Sequence, residues 1–395
     1  MKRQAPALEA ALAQLEAAQL RRARVTVAHR AATGRSLTLA GGRELIDFSS
    51  NDYLGLARHP ALADAMARCA AESGAGSGAS HLVTGHGAEH ERLEEELAAF
   101  TGRERALLFS TGYMANLAVI SALAGRSERV LLDRLSHASL IDGARLAGAA
   151  LVRYAHADAA AAASLLDADP GRTALLATDG VFSMDGDLAP LPELARCAAA
   201  HDAWLLLDDA HGLGVLGAHG GGVLEHFALG SDAVPILVGT LGKAFGSFGA
   251  FVAGSAALIE FLIQKARTYV YTTALPQPLA AATRAALQLV RTESWRRERL
   301  LALVCRFRGA AQAAGVPLAS SMTPIQPVLL GSAAAALAAQ RELTAAGYWV
   351  VAIRPPSVPP GSARLRVTLS TSHTEAEVDG LAQQLGRACA AARGS

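Results

Sequence analysis

Ile236-Leu237-Val238-Gly239-Thr240-Leu241-Gly242-Lys243-Ala244-Phe245-Gly246 is the stretch on which the fold turns. Its apolar run predicts a buried strand, and the small residues that follow predict a loop at the strand's carboxyl end. Lys243 stands in that loop, and lysine is scarce in this chain. Only Lys2, Lys243 and Lys265 are present, so 33 of the 36 basic residues are arginine. An amine can lose its proton and attack a carbonyl, whereas a guanidinium cannot. An isolated lysine is ordinarily a solvated loop residue, so its neighbours decide the matter. The stretch is not a phosphate-binding P-loop, because Leu237 occupies the first glycine position and Ala244 the Ser/Thr position.

The same organisation appears upstream. Trp204-Leu205-Leu206-Leu207-Asp208-Asp209-Ala210-His211-Gly212 is another apolar run closed by a carboxylate, with His211 three residues beyond Asp208. A lysine and an aspartate at the ends of buried strands are what pyridoxal phosphate (PLP) requires. The amine carries the aldehyde, and the carboxylate keeps the pyridine nitrogen protonated so that the ring can accept electrons.

Between about residues 60 and 255, short apolar runs alternate with helical patterns. Strands are predicted at Arg105–Phe109, Arg129–Asp133, Ala150–Tyr154, Thr173–Thr178, Trp204–Asp208, Pro235–Gly239 and Gly249–Ala253. This alternation predicts an α/β fold with a mostly parallel sheet covered on both faces, in which ligands collect at the carboxyl ends of the strands. Leu8, Leu12 and Leu15 predict an amphipathic helix from about Pro6 to Arg24, closed by Arg21, Arg22 and Arg24. Long helices are predicted beyond Pro276, followed by strands at Ile325–Leu330, Trp349–Ile353 and Ala363–Leu369 and a final helix from about Glu375. The expected division is 1-50 as an N-terminal helix and arm, 51-291 as a large domain, and 292-395 as a smaller α/β domain. The N-terminal segment is expected to pack with the smaller domain.

Composition removes several function classes. A chain of 395 residues with 51% hydrophobic residues has ample core. A net charge of +1 and 5% aromatic residues give no reason to expect a nucleic-acid partner. Cys69, Cys197, Cys305 and Cys389 form no C-x-x-C pair and are read as reduced thiols. The N-terminus lacks an apolar signal core, and no apolar run is long enough to span a bilayer. A soluble, cytoplasmic protein is the expectation.

The chemistry-bearing residues fall after successive predicted strands. Ser110-Thr111-Gly112-Tyr113-Met114-Ala115-Asn116 opens a helix and offers backbone N–H groups to an anion, though an ordinary N-cap has the same sequence. Arg134-Leu135-Ser136-His137-Ala138-Ser139 supplies a flat aromatic base. Asp179-Gly180-Val181-Phe182-Ser183 supplies a hydroxyl, Asp208 a carboxylate, and Thr240 with Lys243 a hydroxyl and an amine. Random placement would rarely bring that set to one edge.

With these residues in place, the chain resembles the α-oxoamine synthase family of fold-type I PLP enzymes, in the aspartate aminotransferase superfamily. The resemblance runs from Ser49-Ser50-Asn51-Asp52-Tyr53-Leu54-Gly55 to Arg364-Leu365-Arg366-Val367-Thr368. It implies a homodimer in which an amino acid condenses with an acyl thioester and CO2 is lost. By resemblance, Lys243 holds PLP as a Schiff base, Asp208 pairs with the ring nitrogen, and His137 stacks on the ring and assists acyl transfer. Ser183 and His211 serve the phenolic oxygen, and Gly112, Tyr113 and Thr240 line the phosphate. Asn51 and Arg354 bind the amino-acid carboxylate, and Arg21 and Ser357 match substrate-contacting positions. In Tyr271-Thr272-Thr273-Ala274-Leu275-Pro276 a hydroxyl, taken as that of Thr273, matches one that reaches the partner subunit's phosphate. Two positions depart from the usual pattern: Ser357 stands where Thr is more common, and Asp179 where Glu often stands.

Gly76-Ser77-Gly78-Ala79-Ser80-His81-Leu82-Val83-Thr84-Gly85 and Ala352-Ile353-Arg354-Pro355-Pro356-Ser357-Val358-Pro359 look like the biotin-pathway members of the family. Those members join L-alanine to a pimeloyl thioester, carried on coenzyme A or on acyl carrier protein. The same chemistry on glycine with acetyl-CoA, a PLP aminotransferase, and a non-enzymatic scaffold are the competing readings; Lys243 counts against the last. His86-Gly87-Ala88-Glu89-His90 matches the H-x-x-E-H zinc motif letter for letter. The sequence assigns it no third ligand, so it reads as the polar start of a helix, and no metal is expected.

Overall fold

The computed structural model describes residues 5–393. Within them the chain forms two compact units. The smaller comprises the described residues through Ser50, Met184–Gly186 and the described residues from Arg299; the larger comprises Asn51–Ser183 and Asp187–Glu298. In chain order the strands are β1 (Val27–Arg30), β2 (Ser36–Leu39), β3 (Glu44–Asp47), β4 (Arg105–Phe109), β5 (Arg129–Asp133), β6 (Ala150–Tyr154), β7 (Thr173–Asp179), β8 (Trp204–Asp208), β9 (Ile236–Thr240), β10 (Ala250–Gly254), β11 (Ile325–Gly331), β12 (Tyr348–Trp349), β13 (Val351–Ile353) and β14 (Ala363–Thr368).

The larger unit is built on a seven-stranded sheet of order β4-β10-β9-β8-β7-β5-β6. Strands β6, β5, β7, β8 and β9 pair in parallel, so it is the mostly parallel α/β sheet that the alternation predicts. Only β10 runs the other way, antiparallel to both β9 and β4. The link between β9 and β10 is too short for a helical crossover, which takes about a dozen residues or more, so the chain must turn back. One face of the sheet packs Leu132, Leu175, Leu206, Val238 and Val252 against Val119 and Ile259 of the covering helices. Every one of those side chains is fully buried, which fixes the register of each strand and hence which residue stands at its carboxyl end.

The smaller unit holds two sheets, β1-β2-β3-β12 and an antiparallel β11-β14-β13. The single strand expected over Trp349–Ile353 is divided. Tyr348 and Trp349 pair with β3, whereas Val351–Ile353 pair with β14, and Val350 is buried between them. The first helix, Ala5–Ala17, is also shorter than its periodicity suggests. Gln19 takes a left-handed φ of 56°, and the N–H groups of Leu20 and Arg21 both turn back to the Leu15 carbonyl (2.8 and 3.1 Å). Arg21, Arg22 and Arg24 therefore follow the helix instead of closing it, and its Leu8, Leu12 and Leu15 are exposed.

The Lys243 loop is held by its own backbone. Gly246 N donates to Lys243 O (2.8 Å), Ser247 N to Leu241 O (2.9 Å), and Leu241 N to Gly249 O (2.8 Å). Gly246 has φ +63°, and a Cβ there would lie 2.3 Å from Ala57 N. Gly246→Ala is expected to destabilise the fold by about 1–3 kcal/mol from the left-handed backbone, with the clash added. A lowered urea midpoint with unchanged slope checks this.

Candidate active site

Strands β4, β5, β7, β8 and β9 of the larger unit run the same way and carry the candidate residues to one edge of its sheet. After β4, Thr111 caps the helix Gly112–Leu123, and its Oγ1 accepts from Met114 N (3.2 Å). The N–H groups of Gly112 and Tyr113 make no hydrogen bond among the described residues, and the space beside Gly112 is open. Unpaired N–H groups at a helix start form a seat for a phosphate. The exposed Tyr113 donates its hydroxyl proton to Asp142 Oδ2 (2.7 Å). After β9, Thr240 Oγ1 donates to Gly249 O (3.2 Å) and accepts from Gly242 N (3.4 Å), fixing the strand end just before Lys243.

Asp208 closes β8 and is nearly buried. Its Oδ1 accepts from Ala210 N (3.1 Å) and its Oδ2 from Asn116 Nδ2 (2.6 Å). A second proton of Asn116 Nδ2 goes to Ser139 Oγ (2.8 Å), which lies 2.7 Å from His137 Nδ1. His137 itself caps the helix Ala138–Ala147 after β5. Asp208, Asn116, Ser139 and His137 thus form one connected chain. On the neighbouring strand end, Lys243 Nζ lies 2.8 Å from His211 Nε2, and His211 Nδ1 lies 2.7 Å from Tyr53 Oη. Tyr53 Oη also reaches Asn51 Oδ1 at 3.2 Å. The edge therefore combines an amine, a buried carboxylate and an imidazole with an anion seat. Ser183 follows β7 in the same unit.

Burial shapes the charges. Desolvation by the surrounding protein lowers the His137 pKa even though the residue is exposed at the sheet edge, with Asp208 opposing the effect and the Lys243 charge adding to it. Burial and the charge of Asp208 push the Asp179 carboxyl well above the ordinary aspartate range, and its Oδ2 accepts from His137 N (3.0 Å). One further pair of carboxylates holds the turn that carries Ser183. His156 Nδ1 lies 3.0 Å from Asp133 Oδ1 and its Nε2 lies 2.8 Å from Asp187 Oδ2, while the ring meets Phe182 edge-on. Burial pulls the His156 pKa down, but hydrogen bonds and charge from the two carboxylates outweigh it and raise the value to about 10.

In the smaller unit, Arg21, Arg354 and Ser357 line one cavity of about 730 Å³. The Arg354 guanidinium donates to the Gln19 and Arg21 carbonyls, and Arg22 Nη2 donates to Ser357 Oγ (3.0 Å). Thr273 is exposed and bridges Ser80 through its backbone.

The structure also supplies what the H-x-x-E-H stretch lacked in sequence: His81 joins His86 and His90 within 4.8 Å. The geometry nevertheless describes a hydrogen-bonded cluster. His90 Nδ1 accepts from Gly87 N (2.9 Å) and Nε2 donates to the Leu275 carbonyl, so neither nitrogen has a free lone pair. His81 Nδ1 lies 2.9 Å from His86 Nδ1 and stacks on Tyr269, and Glu89 is engaged by Arg92 and Arg284.

Tyr53, Asn116, Ser139 and His156 are the site residues whose roles sequence reasoning missed. Asn116 gave the only signal, as a polar residue inside the apolar helix Gly112–Leu123.

The edge described here is that of a PLP-dependent transferase, and comparison with known proteins agrees. The model of the aminotransferase class I and II family matches residues 43–385. The chain is 61% identical over 347 residues to the 8-amino-7-oxononanoate synthase of Methylococcus capsulatus, covering 88% of this chain and 90% of that protein. It is 63% identical over 348 residues to the enzyme of the same name from Thioalkalivibrio sulfidiphilus, covering 88% of each. Among solved structures, serine palmitoyltransferase from S. paucimobilis, which carries PLP, superposes with a TM-score of 0.92 at 30% identity over 98% of each chain. The 8-amino-7-oxononanoate synthase of Francisella tularensis superposes with a TM-score of 0.77 at 32% identity, covering 87% of this chain and 97% of that one. The chain belongs to the class I and II aminotransferase family and, within it, to the 8-amino-7-oxononanoate synthases.

The His156 clamp has a signed pH dependence. Its folded pKa of about 10 lies above the ordinary 6.5. Its contribution to stability is therefore complete below about pH 6.5 and is lost as pH rises through 10. The stability gap between wild type and His156→Gln, measured by urea unfolding, is expected to be wide near pH 6 and to narrow toward about pH 10.

Proposed function

We propose that this chain is an 8-amino-7-oxononanoate synthase of biotin biosynthesis, condensing L-alanine with a pimeloyl thioester to give 8-amino-7-oxononanoate, CO2 and the free thiol. The acyl carrier is coenzyme A or acyl carrier protein. The observation that carries this reading is near-complete coverage at 61% and 63% identity by relatives of that name, on a chain whose scarce lysine lies in the strand-end cluster.

The residues fit PLP on their own chemistry. Lys243 offers an amine, Asp208 a carboxylate anchored by two donors, and Gly112 and Tyr113 two unpaired N–H groups for a phosphate. When bound, PLP supplies an aldehyde for the amino group and a ring that takes up the electron pair left as the α-proton departs. Lys243 Nζ is the group that accepts and returns that proton, and Asp208 holds a proton at the ring nitrogen. His137 would hold the cofactor ring and assist acyl transfer. Ser183 and His211 would bind the phenolic oxygen, and Thr240 would join the phosphate seat. Asn51 and Arg354 take the alanine carboxylate, Arg354 being suited to bidentate contact. Arg21 and Ser357 contact substrate.

The working form is a cytoplasmic homodimer, with Thr273 reaching the partner's phosphate. Among the described residues no helix is long and apolar enough to cross a membrane.

Purified protein given PLP, pimeloyl-CoA and L-alanine is expected to form 8-amino-7-oxononanoate, identified by mass spectrometry, with little product from glycine. Product from glycine and acetyl-CoA instead would overturn the assignment. Lys243→Ala is expected to abolish turnover by removing both anchor and base; substantial remaining condensation would refute that double role.

A further inference from the structure

Which nitrogen of His137 carries its proton is settled by the bonds around it. An ionised Asp208 accepts hydrogen bonds only, so the Asn116 group 2.6 Å from its Oδ2 is the amide NH2. Turning the amide over would place two oxygens at that distance. The structure keeps this orientation although it leaves Asn116 Oδ1 buried without a partner, an arrangement that costs about 1–3 kcal/mol. The same nitrogen donates to Ser139 Oγ (2.8 Å), whose own proton then has His137 Nδ1 as its acceptor in reach (2.7 Å). Independently, Ser139 N–H also points to Nδ1 (3.3 Å), and a backbone N–H can only donate. Two donors converge on Nδ1.

We propose that Asn116 and Ser139 are positioning residues that hold neutral His137 with its proton on Nε2. His137 then meets substrate as a hydrogen-bond donor, and the base role is left to Lys243. The part of this that concerns substrate rests on the reaction proposed above; the tautomer does not. Asn116 and Ser139 are fully buried, so the bond between them is shielded from water, while His137 itself is exposed at the edge. His137 Nε2 has no partner among the described residues and remains available to an incoming acceptor. The Asp208 carboxylate thereby acts twice, at its own strand end and, through two side chains, on the orientation of the proton at His137.

The test is long-range proton–nitrogen NMR of the full chain labelled with 15N-histidine, without and with PLP, His137 being assigned by the signal missing from His137→Asn. A pyridine-like Nδ1 and a pyrrole-like Nε2 are expected. Ser139→Ala, a small change at a buried site, is expected to move both shifts toward a tautomer mixture and to lower kcat about tenfold, the scale of one hydrogen bond, with KM for alanine changed less than about twofold. A proton on Nδ1 in the wild type would overturn the proposal, as would wild-type shifts in both Ser139→Ala and Asn116→Ala. No condensation product alongside the expected nitrogen signature would count against the reaction alone and leave the tautomer standing.

Discussion

The hydrogen bond from Asn116 Nδ2 to Asp208 Oδ2, 2.6 Å long, is the interaction on which the site depends. A carboxylate at the end of a leucine strand is costly to bury, by several kcal/mol when it stands alone. Here it receives a backbone N–H on one oxygen and a side-chain amide on the other. The amide carries the consequence to Ser139 and from there to His137. The opposing group, Lys243, is held by a loop whose geometry requires glycine at 246. Carboxylate and amine arrive on adjacent parallel strands, with Asp208 beside Val238 in the pairing.

Much of the fold was legible because the strands are short apolar runs with few alternatives. Arg105–Phe109, Arg129–Asp133, Ala150–Tyr154 and Trp204–Asp208 have the predicted bounds. Strand direction was less accessible, since an apolar run reads the same both ways. The short link from Leu241 to Gly249 was the available sign that β10 turns back. The first helix was overextended because Arg21, Arg22 and Arg24 read as its last turn, whereas Gln19 has already left helical backbone. The break at Val350 was hidden because both halves of the segment are apolar.

At the site, Lys243, Asp208, His137 and His211 could be singled out because each carries chemistry at a strand end. Asn116, Ser139 and Tyr53 act through other side chains, and their contacts join segments far apart in sequence. Asn116 reaches a residue 92 positions away and Tyr53 one 158 positions away. Periodicity cannot report such pairings. His81 lies only five residues before His86, but it joins the histidine cluster through the turn His81–Gly85, a spacing the zinc motif does not report.

Lys243 as the sole attachment point for PLP is the central claim, and the scarcity of lysine makes it directly measurable. Protein incubated with PLP, reduced with borohydride, digested and mapped by mass spectrometry is predicted to carry one label, on the peptide containing Lys243. A label on Lys265 or Lys2 instead, or no label at all, would contradict the account.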